Sequence, residues 1–160
     1  MGLRQTFRMK DMTDSKFAAI AEAATRFRAA IGKCGPALDF SFRQFPRGTC
    51  GDVAPLLGTF LSEQGFGTFE YVLGERGEQR ADANTYQSHA WIQQGPLIVD
   101  ITADQFPEID QKVIVTQTSD WHRTFNTKIL HNADYRIFDG WAKERLHAIY
   151  QSILAAMPSL

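Results

Sequence analysis

The sequence predicts an α+β fold, with N-terminal helices packed on an antiparallel sheet and a C-terminal helix closing the domain. Three observations carry that prediction: apolar residues at helical spacing early in the chain, short β-branched and aromatic runs in its middle, and a last helical stripe near its end. The 160 residues are read as one domain, 1–160, long enough to close a sizeable core. Apolar residues at 44% and charged residues at 22% match ordinary globular usage, so a folded chain is expected rather than a disordered one.

Ser15 to Ile31 is the first expected helix. Phe17, Ile20, Ala21, Ala24, Phe27 and Ile31 fall on one face, Glu22, Arg26 and Arg28 fall off it, and Asp14 or Thr13 is available as N-cap. Gly32, Gly35 and Pro36 end it, because glycine favours the left-handed cap and proline cannot continue the ladder. The stretch from Phe40 to Thr49 reads as irregular, ending in a turn at Pro46 and Gly48. Val53, Leu56, Leu57, Phe60 and Leu61 then mark a second helix that ends before Gly65. Pro55 suits a first turn, which sets the expected start close to Gly51 or Asp52 and puts Cys50 at or near the helix N-terminus.

Strand-like segments follow at Thr68 to Leu73, Ser88 to Gln93, Leu97 to Thr102 and Gln111 to Thr116. Gly95-Pro96 makes the second and third a hairpin. Gly74 to Thr85 is expected as a loop, and Ser119 to Asp139 carries no clear period. Trp141 to Met157 is the closing helix, with Trp141, Leu146, Ile149, Tyr150, Ile153 and Leu154 as its apolar stripe.

A formal charge of −1 provides no field to attract a polyanion, so nucleic acid is not an expected partner. No stretch approaches the ~20 apolar residues of a membrane span, and no uninterrupted apolar segment follows Arg4, Arg8 and Lys10, so no membrane association and a cytoplasmic location are expected. Two cysteines, Cys34 and Cys50, are too few for a secreted disulfide scaffold.

The chemistry centres on Cys50. A nucleophilic cysteine needs its thiol, ordinarily ionising near about 8.5, brought down by a helix N-terminus and a neighbouring imidazolium. His89, on the second strand, is the expected base. Asp100, at the end of the next strand and a cross-strand neighbour through the hairpin, is expected to accept the other ring N–H and fix the tautomer. Gln44, six residues before Cys50, could direct its amide at an oxyanion beside the Cys50 backbone N–H. Neither Cys-x-x-Cys nor His-Glu-x-x-His occurs, so no metal and no cofactor are expected. Cys34, His122, His131 and His147 are read as structural or surface residues, and Asp52 and Asp104 as capping or solvent-facing.

The order Cys, His, Asp, the phrase Gly48-Thr49-Cys50-Gly51-Asp52 opening a helix, the His89-Ala90-Trp91 strand and the following Val99-Asp100-Ile101-Thr102 resemble the transglutaminase-like and papain-like superfamily of cysteine enzymes, over roughly Gln44 to Phe106. The resemblance implies a papain-like or transglutaminase-like core of helix followed by sheet. It also implies an acyl-transfer activity on a peptide, protein or small amide substrate, in which Cys50 attacks, His89 takes and returns the proton, Asp100 holds His89, and Gln44 matches the oxyanion glutamine of papain-like members. Gly51-Asp52 stand where those patterns commonly carry a tryptophan. That departure and the small size of the chain leave open a non-catalytic protein-binding module of the same fold, and the two cysteines leave open a redox pair formed by Cys34 and Cys50. Substrate choice is assigned to the loops Gly74 to Thr85 and Gln117 to Asp139, and oligomeric state is left open.

Overall fold

The computed structural model describes residues 2–80, 82 and 84–158, with side chains from residue 13 onward. Its helices are α1 (Gly2–Cys34), α2 (Cys50–Leu61) and α3 (Gly140–Ala156), and its strands are β1 (Glu70–Arg76), β2 (Gln87–Gln94), β3 (Leu97–Asp100), β4 (Ile114–Thr116) and β5 (Asn126–Asn132). The strands form one antiparallel sheet in the order β4-β3-β2-β1-β5. The α+β class expected from the sequence is the observed one.

The apolar face of α1 is buried as its spacing requires: Ile20, Ala24, Phe27 and Ile31 are wholly inaccessible. They pack with α3 through Leu146, Ile149, Tyr150 and Ile153 and with α2 through Leu56, Leu57, Phe60 and Leu61. Phe27 stacks on Phe60 with ring centroids 5.0 Å apart. Below this helical layer the sheet presents Ala90 and Ile92 from β2 and Leu97 and Val99 from β3, alternate residues on one face, as the two-residue period of a strand dictates. The opposite face carries Val72, Trp91 and Ile98 and is covered by Phe106, Trp121 and Phe125 from the segment between β3 and β5. Among the described residues no α-helix covers that side, so these aromatic side chains, carried on short 3-10 turns, take its place.

Several boundaries differ from expectation. The first helix begins at Gly2, about three turns before Ser15, because residues 2–12 contain no proline and no internal glycine to interrupt it. Helix α2 starts at Cys50, which puts Pro55 in its second turn rather than its first. The bond lost there is the one that would run to the Gly51 carbonyl. Gly65, at φ +89°, ends the turn that follows α2, a conformation only glycine adopts without strain. Strand β1 starts two residues later than expected and runs on to Arg76, into the stretch expected as a loop, of which residues 81 and 83 lie outside the described residues. Strand β4 keeps only Ile114–Thr116.

The sequence showed no strand in Ser119 to Asp139, yet β5 lies there. It pairs with one neighbour only and is exposed along most of its length, so its residues need no apolar alternation, which is the signal a sequence reading depends on. Trp141 is 76% exposed and does not belong to the apolar stripe of α3; at the first turn it projects beyond the helical layer.

Gly58 fixes how closely α2 approaches the chain after β5. A Cβ there would collide with the carbonyl oxygen and the Cβ of Ala133. The closeness lets the Thr59 hydroxyl accept the Tyr135 backbone N–H at 3.2 Å. Among the described residues no helix is long and apolar enough to cross a membrane.

Candidate active site

Cys50 is the first residue of α2. Thr49 caps the helix through its backbone: its carbonyl accepts from the N–H of Asp52 at 3.1 Å and of Val53 at 2.8 Å, while its buried hydroxyl donates to the Pro46 carbonyl at 2.8 Å. Among the described residues the N–H groups of Cys50 and Gly51 have no acceptor, so the positive end of the helix is open beside the sulfur. The loop ahead of Cys50 is tied down from α3. Arg145 reaches Asp39 at 2.8 Å, Ser41 at 2.9 Å and both carboxylate oxygens of Asp52 at 3.1 and 2.8 Å. Asp52 is therefore an ion-pair partner rather than a solvent-facing residue. Asp104 likewise takes a two-pronged bond from Arg28, at 2.6 and 2.8 Å.

His89 stands on β2 just beyond the last β3 pair, Ile92 with Val99. Continuing that register places Trp91 opposite Asp100 and His89 opposite Thr102, so His89 and Asp100 are diagonal rather than direct neighbours on one face. Diagonal spacing is still within reach of long side chains, and His89 Nε2 lies 2.7 Å from Asp100 Oδ2. Because β3 ends there, the edge of β2 is open to α2. The groups that act on the Cys50 sulfur are the His89 ring, the Ala90 backbone N–H and the Gln105 side-chain amide.

Asp100 is 2% exposed and fully engaged. Its Oδ1 accepts the Thr102 backbone N–H at 3.0 Å, and its Oδ2 accepts a second histidine, His122, through Nε2 at 2.8 Å. A carboxylate only accepts, so both Nε2 atoms carry protons, which leaves Nδ1 of His89 facing the Gln105 amide at 3.1 Å and free to take the thiol proton in its place. Nδ1 of His122 is satisfied by the Ser119 hydroxyl at 2.6 Å. Trp91, Phe106, Trp121 and Phe125 surround the His89 ring with centroids 5.2 to 6.2 Å away. Arg76 lies over Phe125 at 4.3 Å and bonds Glu108 at 2.7 Å, which closes this side of the site to water.

The electrostatics follow from these contacts. Burial pushes the Cys50 thiol up, but the hydrogen bond and charge of His89, the Ala90 N–H and the Gln105 amide together hold it below its ordinary value. Burial disfavours a charged His89, yet bonds and charge from Asp100 and Cys50 raise it from 6.5 to about 9. Burial alone would raise the Asp100 carboxyl; the two imidazoles bonded to it hold it well below the usual carboxylate range. The contacts therefore favour a thiolate beside an imidazolium, with a carboxylate behind the ring, over what an isolated cysteine and histidine would give. Such a sulfur can attack an electrophilic carbon and the ring can return a proton.

His89, Asp100 and His122 also form the one cluster of metal-ligand type among the described residues, with ligand atoms within 4.8 Å of one another. The same atoms are already paired: each Nε2 donates to Asp100, and the other nitrogen of His122 accepts from Ser119. An ion would have to displace both Nε2 protons, so the donor set suits a proton-holding network better than a metal.

Cys50, His89 and Asp100 are thus brought together as the sequence order suggested. Gln44 stands exposed in an open recess with Phe40, Ser41, Arg43 and Arg47, and its amide makes no hydrogen bond to Cys50. The amide at the sulfur is that of Gln105, which also lies 3.1 Å from His89 Nδ1 and 3.0 Å from the Thr102 carbonyl. The sequence carried no mark for Gln105, His122 or Ser119, since each arrives by tertiary folding of loops without periodicity. Cys34 donates to the Ser152 carbonyl at 3.6 Å and, like Cys50, is a free thiol.

No protein-family model, curated protein sequence or solved structure matches this chain.

Proposed function

We propose that this chain is a cysteine-dependent acyl-transfer enzyme with a papain-like or transglutaminase-like core, acting on an amide or thioester carbonyl through Cys50, His89 and Asp100. One observation carries the reading: the Cys50 sulfur at the head of a helix is within electrostatic reach of the His89 ring, and Nε2 of that ring lies 2.7 Å from a buried carboxylate. A structural cysteine needs none of these partners. The thiolate attacks the carbonyl carbon, the C=O electron pair moves to oxygen, and the tetrahedral adduct collapses to a thioester. The leaving amine takes the proton from His89. Water or an amine then attacks the thioester, gives its proton to His89, and releases Cys50. The expected substrates are peptides, proteins or small amides, with no cofactor in the reaction.

Iodoacetamide followed by peptide mass mapping tests the activated thiol. At mildly acidic pH, Cys50 should be alkylated well ahead of Cys34, whose thiol is raised by burial. Equal, slow labelling of both cysteines refutes the proposal. It would leave the fold as a non-catalytic protein-binding module.

A further inference from the structure

The ring of Tyr71 packs against the core, but neither packing nor the triad accounts for its hydroxyl, which lies near Cys50. It lies on β1, on the sheet face turned toward the helices, and its hydroxyl oxygen lies 3.6 Å from the point that a Cβ on Gly51 would occupy. The hydroxyl therefore stands over the first turn of α2, beside the residue that follows the nucleophile. It has no hydrogen-bond partner among the described residues, whereas the hydroxyls of Tyr86, Tyr135 and Tyr150 are bonded to Glu75, His147 and Glu63. The hydroxyl is open to solvent, so a bound group can take the place of water on it.

Its placement is built in. The pairing of β1 with β5 slips between Tyr71 and Val72, which are opposite His131 and Ile129, so Leu130 is bulged out. The bulge brings His131 against the Tyr71 ring, with centroids 4.7 Å apart, and Phe138 in turn supports His131 edge-on at 5.4 Å. Bulges re-aim side chains in this way beside functional sites. Burial, with the charges of Cys50 and Asp52, pushes the Tyr71 hydroxyl up to about 12, so it keeps its proton and remains a donor while the thiolate is present.

Resting on the acyl-transfer reading above, we infer that Tyr71 is a catalytic residue whose O–H, with the backbone N–H of Cys50, donates a hydrogen bond to the carbonyl oxygen of the acyl group as Cys50 attacks it. When sulfur bonds to the carbonyl carbon, the C=O pair becomes an oxyanion, and Tyr71 stabilises it without giving up its proton. When the pair returns to re-form C=O, the bond to the leaving group breaks and the thioester remains. The absence of a Cβ at residue 51 keeps the space for that oxygen open. Donors of this kind act only where negative charge develops on oxygen, so they affect acylation and leave an attack on saturated carbon untouched.

That difference supplies the experiment. Tyr71→Phe removes the hydroxyl and keeps the ring on His131. Two reagents are compared at Cys50 in the whole protein: iodoacetamide, whose displacement makes no oxyanion, and p-nitrophenyl acetate, whose transfer of acetyl to sulfur passes through one. Tyr71→Phe should slow release of p-nitrophenolate by about 10²-fold and leave the alkylation rate and its pH profile within twofold of the parent. Equal acylation by parent and variant overturns the role of Tyr71, as does a parent that alkylates quickly but does not acylate. A variant slowed equally with both reagents also overturns it, since Tyr71 would then act on the thiol or the fold. Slow alkylation of the parent overturns the acyl-transfer reading instead.

Discussion

Replacing Asp100 by asparagine preserves shape and removes the charge behind His89. In the folded protein His89 is held at about 9 against an ordinary 6.5, a gap of roughly 300-fold in proton affinity. Burial works against that rise, and the bonds and charges of Asp100 and Cys50 produce it. If Asp100 supplies half of the net rise, its loss makes the thiolate-imidazolium pair about 20-fold rarer near pH 7; if it supplies all, about 300-fold. Asparagine also puts an NH2 against either the Thr102 N–H or the two histidine N–H groups, a buried mismatch costing about 1–3 kcal/mol. The Asp100→Asn protein should therefore be alkylated by iodoacetamide at Cys50 about 20- to 300-fold more slowly at pH 7, with its acidic limb moved toward higher pH. Pseudo-first-order labelling from pH 4 to pH 10, read by peptide mass mapping, measures this, and an unchanged rate at Cys34 shows that the variant is folded. A rate within threefold of the parent, with the same pH dependence, would refute the idea that Asp100 governs the pair.

The packing makes a sharper claim at Gly58. Gly58→Ala places a methyl group into the Ala133 backbone, which cannot move without shifting the end of β5, so a loss of about 3 kcal/mol is expected in urea unfolding; a loss below 1 kcal/mol would mean that α2 can back away from the sheet. Acid stability reports Asp100 from a different direction. Its folded carboxyl ionises below the unfolded value of 3.8, so the unfolded state takes up the proton first; this contribution is present above that value, begins to fall there and is lost as pH drops through the lower folded value. Thermal unfolding followed by circular dichroism from pH 5 to pH 3 should show a smaller fall in Tm for Asp100→Asn than for the parent, and parallel curves would count against it.

The legible parts of this fold are those with a period. Ile20, Ala24, Phe27 and Ile31 mark α1, and Leu56, Leu57, Phe60 and Leu61 mark α2, because one buried stripe per helix is what a helical layer requires. The hairpin through Gly95-Pro96 followed from its turn and its apolar runs, and with it came the pairing of His89 with Asp100. The edge strand β5 left no such trace, and neither did the long start of α1, where the expected cap residues Thr13 and Asp14 lie inside the helix. In the site, Cys50, His89 and Asp100 were readable as residue types in order. Their partners Gln105, His122 and Tyr71 were not.

The division has a physical cause. Amino-acid sequence by itself determined the class of the fold, the thiol at the start of a helix and the strand positions of the histidine and the acid, since these depend on local periodicity and on turns. Tertiary structure alone decided that β3 stops short and opens the edge of β2 to the sulfur. It also decided that a loop with no pattern of its own carries a second histidine onto Asp100, and that a bulge in β5 aims Tyr71 at the head of α2. Those contacts join residues distant in the chain through close packing, and packing leaves no period in the sequence that produces it.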